Sequence, residues 1–165
     1  MIQWKTRALK HLYPLPVHHS WPLYERERHF ELGQIHELDT LDAIQGAADI
    51  TEGLSGRPRP GLWECDLSDN SLRWSGVVYD IFGITRGTAV TRDESVALYA
   101  EDSRAAMEKL REYAIKHRRG FTLDVEIRPA RADPRWVRLI AAPVCIDDRI
   151  VRLQGLKFIV PSHTG

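Results

Sequence analysis

The last third of the chain alternates apolar and polar residues with a period of two. In FTLDVEIR, residues 121 to 128, Phe121, Leu123, Val125 and Ile127 fall on one parity and Thr122, Asp124, Glu126 and Arg128 on the other, the pattern of a strand with one buried face. PARADP supplies a turn, and RWVRLIAAPVCI (135–146) and RIVRLQGLKFIV (149–160) read as two longer strands joined through Asp147-Asp148. The same period appears in GLWECDL (61–67), where Trp63, Cys65 and Leu67 share a face opposite Leu62, Glu64 and Asp66. Ser68-Asp69-Asn70 readily bond their own backbone, so SLRWS (71–75) is predicted to return as the second strand of a hairpin.

Helical spacing takes over between these strands. GVVYDIFG places Val78, Ile81 and Phe82 on one face of a short helix closed by Gly83. DSRAAMEKLREYAIKHRR (102–119) predicts the clearest helix, with Asp102 or Ser103 as N-cap, a stripe of Ala106, Met107, Leu110, Ala114 and His117, basic residues in the last turn and Gly120 as C-cap.

Residues 1–57 have a different texture and predict an N-terminal helical extension. Ser20 is a candidate cap for a helix beginning near Pro22 and closed by Gly33. Leu38, Leu41, Ile44 and Ala48 then form an apolar stripe opposite Glu37, Asp42 and Gln45. The glycine- and proline-rich segment TEGLSGRPRPG (51–61) is a connector. The expected organisation is an extension over 1–57, one domain over 58–161 and a tail over 162–165.

Composition narrows the functional classes. The chain has 165 residues, 43% hydrophobic and 28% charged, with 23 basic against 23 acidic side chains. That is a globular balance with room for one core and without a broad field to attract nucleic acid. The N-terminus lacks the apolar run of a secretory signal, and no stretch is long and apolar enough to span a bilayer. Cys65 and Cys145 lack CxxC spacing, so neither zinc nor a redox pair is expected and a cytoplasmic location fits best. There is no nucleophile–base spacing, phosphate loop or metal cluster, and His18-His19 have no second pair; the chain is not expected to be an enzyme or to hold a metal. KHRRG (116–120) reads as a solvated helix end rather than a nucleic-acid patch.

GLWECDL with SLRWS, VYDIFGI at 78–84, the Glu101-Asp102 pair before the long helix, RWVRLIAAPV at 135–144 and Gly155 in the last strand together resemble a PAS domain. The resemblance is to the subclass whose first strand commonly reads G-x-W-E-W-D, and it spans about residues 58 to 160. It implies an α+β fold: a five-stranded antiparallel sheet with helices on one face, enclosing a core that is either filled or holds a ligand. PAS domains are sensory and interaction modules, rarely enzymes. Three departures stand out: Cys65 replaces the usual second tryptophan, Tyr99-Ala100 replaces a common His-Pro, and Ile159-Val160-Pro161 replaces the Asp-Ile-Thr hinge to an effector.

The inward parity makes Trp63, Phe82, Met107, Leu110, Leu123, Val125, Val137 and Leu139 interior residues, as plain core or as pocket lining. The smaller Cys65 leaves space for a small apolar ligand unless Met107 or Tyr79 moves in. Flavin-binding relatives carry their cysteine in an N-C-R-F-L-Q-like helix segment that this chain lacks, and His117 is poorly placed for haem, so neither cofactor is expected. HELDTLDAI (36–44) resembles the H-E-L-R-T-P-L box of histidine kinases but lacks its Arg and Pro, and chance helix composition accounts for His36. On the outer parity, Trp136, Ile140, Ala142 and Val144 need a cover, which the Leu38, Leu41 and Ile44 stripe could supply from the same or a second chain. The expectation is a stand-alone PAS signalling module acting in trans on a sensor kinase or other regulator, with small-molecule sensing as an added role. A homodimerisation module and a metabolite-binding sensor are the alternatives.

Overall fold

The structure is a computed structural model that describes residues 19–30 and 59–161. The alternating segments form one antiparallel sheet. Its strands are β1 (His19–Pro22), β2 (Gly61–Asp66), β3 (Leu72–Trp74), β4 (Arg119–Ile127), β5 (Arg135–Ile146) and β6 (Arg149–Val160), in the spatial order β1-β4-β5-β6-β2-β3. Five of these are the sheet expected from the sequence; the sixth, β1, corrects the expectation that residues 1–57 contribute only helix.

β1 pairs with β4 through His19↔Thr122 to Pro22↔Arg119, so Ser20 sits in a strand and does not cap a helix. A 3-10 turn (Leu23–Glu25) and helix α1 (Arg26–Phe30) follow. The reason lies in Trp21, which is fully buried on the outer side of the sheet and donates from Nε1 to Thr122 Oγ1 at 3.1 Å. Its ring lies where a Cβ on Gly120 would be, 2.2 Å away. Gly120 therefore serves close approach within β4 and is not the C-cap of the long helix. Gly33, His36, the Leu38, Leu41 and Ile44 stripe and the 162–165 tail lie outside the described residues.

Helices α2 (Gly76–Phe82), α3 (Arg92–Val96) and α4 (Glu101–His117) pack over the inner face of the sheet. Gly83 ends α2 in the left-handed conformation at φ 68°, a backbone geometry that glycine adopts without steric cost. α4 begins two or three residues earlier than expected, with Ala100 as N-cap, and has Arg118, φ 54°, as C-cap. Ser103 is unavailable as a cap because its Oγ accepts from the Glu126 N–H at 2.8 Å. With the Ala100 N–H donating to the Glu126 carbonyl, this ties the start of α4 to β4.

The register places two cores back to back. Phe121, Leu123, Val125, Val137, Leu139, Ala141 and Leu153 face the helices. Leu62, Ile140, Ala142 and Leu156 face outward and are covered by Trp21 and Phe30. The cover that the outer parity demanded thus comes, at this patch, from residues 21–30 of the same chain.

Candidate functional site

The inner core contains a lysine. β6 runs Leu153, Gly155, Lys157, Ile159 on its inward parity, and Lys157 sits opposite Gly61 of β2 and Leu139 of β5. It is 6% exposed. Its Nζ lies 4.8 Å from the Trp63 ring centre, 5.2 Å from Phe82 and 5.9 Å from Trp74. Among the described residues it has no hydrogen-bond or carboxylate partner, so the ring faces are its electrostatic support. Burial pulls its pKa down to about 7; the Cys65 thiol opposes that shift and the Arg92 guanidinium adds to it.

Beside Lys157 lies a cavity of about 50 Å³, bounded by Trp63 and Cys65 of β2, Trp74 of β3, Tyr99, and Met107 of α4. Arg92 and Arg111 complete the wall. Each is fixed by local structure. Arg92 opens α3, whose Thr91–Glu94 capping box is closed in both directions, and it is ion-paired to Glu108 of α4. Arg111 donates to Asn70 Oδ1 at 3.2 Å, in the turn where Asn70 takes a positive φ. Among the described residues the buried Trp63 Nε1–H has no hydrogen-bond partner. Tyr99, buried, has its phenol pKa pushed up by desolvation and stays neutral.

The expected pocket residues divide three ways. Trp63, Cys65, Met107 and Leu139 line the cavity. Leu123, Val125 and Val137 are fully buried core, and Phe82 is buried with its ring stacked on Trp74 at 4.8 Å. Tyr79 and Leu110 lie elsewhere. The Tyr79 hydroxyl donates to the Thr88 carbonyl at 2.9 Å, and Leu110 borders a separate hollow with Ala106, Tyr113, Ser20 and Arg119. Of the expected interface residues, Ile140 and Ala142 are buried in the outer core and Trp136 is half-buried. His117 is exposed beside Tyr113.

Sequence reasoning missed Lys157, Arg92 and Arg111. The signal for Lys157 was available: in RLQGLKFIV it shares parity with Leu153, so strict alternation puts it inside. T-R-D-E at 91–94 is likewise a capping-box signature that locates α3. Among the described residues no group of three His, Cys, Asp or Glu could hold a metal, and no helix is long and apolar enough to cross a membrane.

The strand order, helix placement and interior cavity define a PAS fold, and comparison with solved structures agrees. The chain is similar to the N-terminal domain of a diguanylate cyclase with a PAS/PAC sensor from Marinobacter aquaeolei, at 11% identity and TM-score 0.56 over 61% of this chain and 94% of that one. It is similar to a sensory box histidine kinase/response regulator from Burkholderia thailandensis, at 19% identity and TM-score 0.53 over 61% and 76%. It is also similar to an RNA-binding light-oxygen-voltage receptor, at 16% identity and TM-score 0.54, over 61% of this chain but only 29% of that one. No family model and no curated protein matches the chain in sequence.

Light-oxygen-voltage neighbours raise the question of a flavin. The cavity beside Lys157 does not fit one: organic cofactors occupy pockets of roughly 300–1,000 Å³, whereas the space bounded by Trp74, Tyr99, Met107 and Lys157 is about 50 Å³.

Proposed function

We propose that this chain is a signalling module that works through protein–protein interaction, on a sensor kinase or another regulator, with no chemistry of its own. The packing of the interior carries the reading. Trp63, Trp74, Phe82, Tyr99 and Met107 pack between sheet and helices and the cavity beside Lys157 is only about 50 Å³, which supports output through the surface. The histidine kinase and cyclase contexts named for two neighbours support a regulator as partner. A homodimer through the outer face is disfavoured where Leu62, Ile140 and Leu156 are already covered by Trp21 and Phe30.

The reading is tested by cross-linking and capture with the full chain in its native lysate, followed by reconstitution of the complex from purified components. A kinase or regulator recovered specifically and re-forming a complex on size exclusion is the expected result. Failure to recover such a partner, together with substrate turnover by the purified protein, would remove it. A second reading, small-molecule sensing, is supported by Lys157, which has no hydrogen-bond or carboxylate partner among the described residues, beside the residual cavity.

A further inference from the structure

A buried indole N–H without an acceptor and a largely buried lysine line the same small void. Buried polar groups are nearly always partnered, yet the Trp63 Nε1–H has no partner and, among the described residues, neither does the Lys157 ammonium. Trp63 is 7% and Lys157 6% exposed, so water outside reaches little of either side chain. The described lining of the cavity adds two guanidinium groups, Arg92 and Arg111, and contains no carboxylate. Glu108, which is ion-paired to Arg92, is not among that lining. The void is electropositive and supplied with donors.

We propose that this cavity binds a small monoanion, a carboxylate or oxyanion of three or four heavy atoms such as formate, acetate or nitrate, held by Lys157, Arg92, Arg111 and the Trp63 N–H. The inference rests on the sensing reading above and names its ligand class. Size sets the upper limit: one water needs about 10–15 Å³ of such volume, so about 50 Å³ takes roughly three or four atoms of that size. Charge sets the sign. An anion gives the Lys157 ammonium the counter-charge it lacks while leaving it over the Trp63, Trp74 and Phe82 rings, which favour a cation.

Binding is then coupled to a proton. The groups facing Lys157 are Cys65 from β2, Arg92 from α3, Tyr99 ahead of α4 and Arg111 from α4, with apolar or aromatic neighbours from β3, α2, β4 and β5. Tyr99 is held neutral by burial, and the described lining holds no carboxylate. An anion therefore selects the protonated lysine. Above the free-protein pKa of about 7, each complex formed takes up a proton, and affinity falls about tenfold per pH unit.

The experiment titrates the full chain in low-chloride buffer with sodium formate, acetate and nitrate at pH 6.5 and 8.5. It follows the Trp63 indole N–H by NMR and proton uptake by calorimetry in buffers of differing ionisation heat. The expected result is a saturating shift of that resonance, affinity ten- to a hundredfold weaker at the higher pH, and proton uptake approaching one there. Sulfate and neutral formamide should leave the resonance in place. Lys157→Met should abolish the shift, and if that variant fails to fold, the size, charge and proton-uptake tests on the unaltered chain still decide. No saturation, equal binding of sulfate, or binding without proton uptake at pH 8.5 would overturn the site. If anions fail while a partner is still captured, only this site falls; if anions bind and no partner is captured, the interaction reading fails instead.

Discussion

Trp63 and Lys157 sit diagonally across the β2–β6 pair, Trp63 opposite Gly155 and Lys157 opposite Gly61, and bring an ammonium nitrogen to 4.8 Å from an indole ring centre. This places the most costly group of the inner core against the rings best suited to hold it. Cation–π contacts are worth about 0.5–2 kcal/mol each, less than the desolvation of a lone charge, and the balance leaves Lys157 titrating near neutrality.

That balance sets a pH dependence of stability. The folded-state pKa, about 7, lies below the ordinary lysine value of 10.5. Between these values the unfolded chain binds more protons than the folded one, so this group's contribution to stability rises with pH from about 7 to above 10 and is flat below 7. The slope is at most about 1.4 kcal/mol per pH unit. Lys157→Met should be more stable than the parent by a few kcal/mol at pH 7, with the gap closing toward pH 10. Urea unfolding of both proteins from pH 6 to pH 10 measures it; parallel stability curves would exclude the buried titration.

The resemblance to the G-x-W-E-W-D pattern puts a tryptophan at the position of Cys65, and Lys157, Trp74 and Met107 line the cavity beside it. Restoring the larger residue should therefore harm the protein. Cys65→Trp must fit an indole beside about 50 Å³ of free volume, and overpacking of this kind costs about 1–3 kcal/mol. A lowered melting temperature is expected. An unchanged or raised one would mean that Lys157 and Met107 withdraw readily from the site.

The contrast between Cys65 and Lys157 shows where the sequence was legible. Strand boundaries at 135–146 and 149–160 were plain because alternation and the Asp147-Asp148 turn agree, and both turn residues take positive φ. The vacancy at Cys65 could be anticipated from residue size. Its occupant was legible only through parity with Leu153 in RLQGLKFIV, because hydropathy alone places a lysine outside. β1 was hidden for a related reason: HSWP is four residues long, and Gly120, 99 positions after Trp21, leaves the space in which the Trp21 ring lies against β4. α3 was readable from its capping box alone, at five residues too short to show periodicity.

Gly120 is the test of that long-range dependence. A Cβ there would stand 2.2 Å from the Trp21 ring, so Gly120→Ala should push Trp21 off the sheet and uncover Leu62, Ile140 and Leu156. Hydrogen exchange at Trp21 and Pro22's pairing partners in β4 should accelerate, and self-association should rise as the apolar patch is exposed. Unaltered protection of the β1–β4 pair would show that the ring shifts without releasing the strand.

Asp124 and Arg138 face each other across β4 and β5 and form a two-pronged ion pair, Nε to Oδ1 at 2.7 Å and Nη2 to Oδ2 at 2.9 Å. Asp124 is fully buried and the Arg138 side chain is 20% exposed. A surface pair in this register would be worth at most about 1 kcal/mol, whereas taking one partner from a buried pair costs about 3–5 kcal/mol because a desolvated charge loses its counter-ion. Asp124→Ala should therefore be strongly destabilising. The double variant Asp124→Leu/Arg138→Met should recover most of that loss, since two apolar side chains need no counter-charge. Chemical unfolding of the parent, both single variants and the double variant closes the cycle. A loss below about 1 kcal/mol for Asp124→Ala would place the pair energetically at the surface and leave apolar packing alone to hold the outer face.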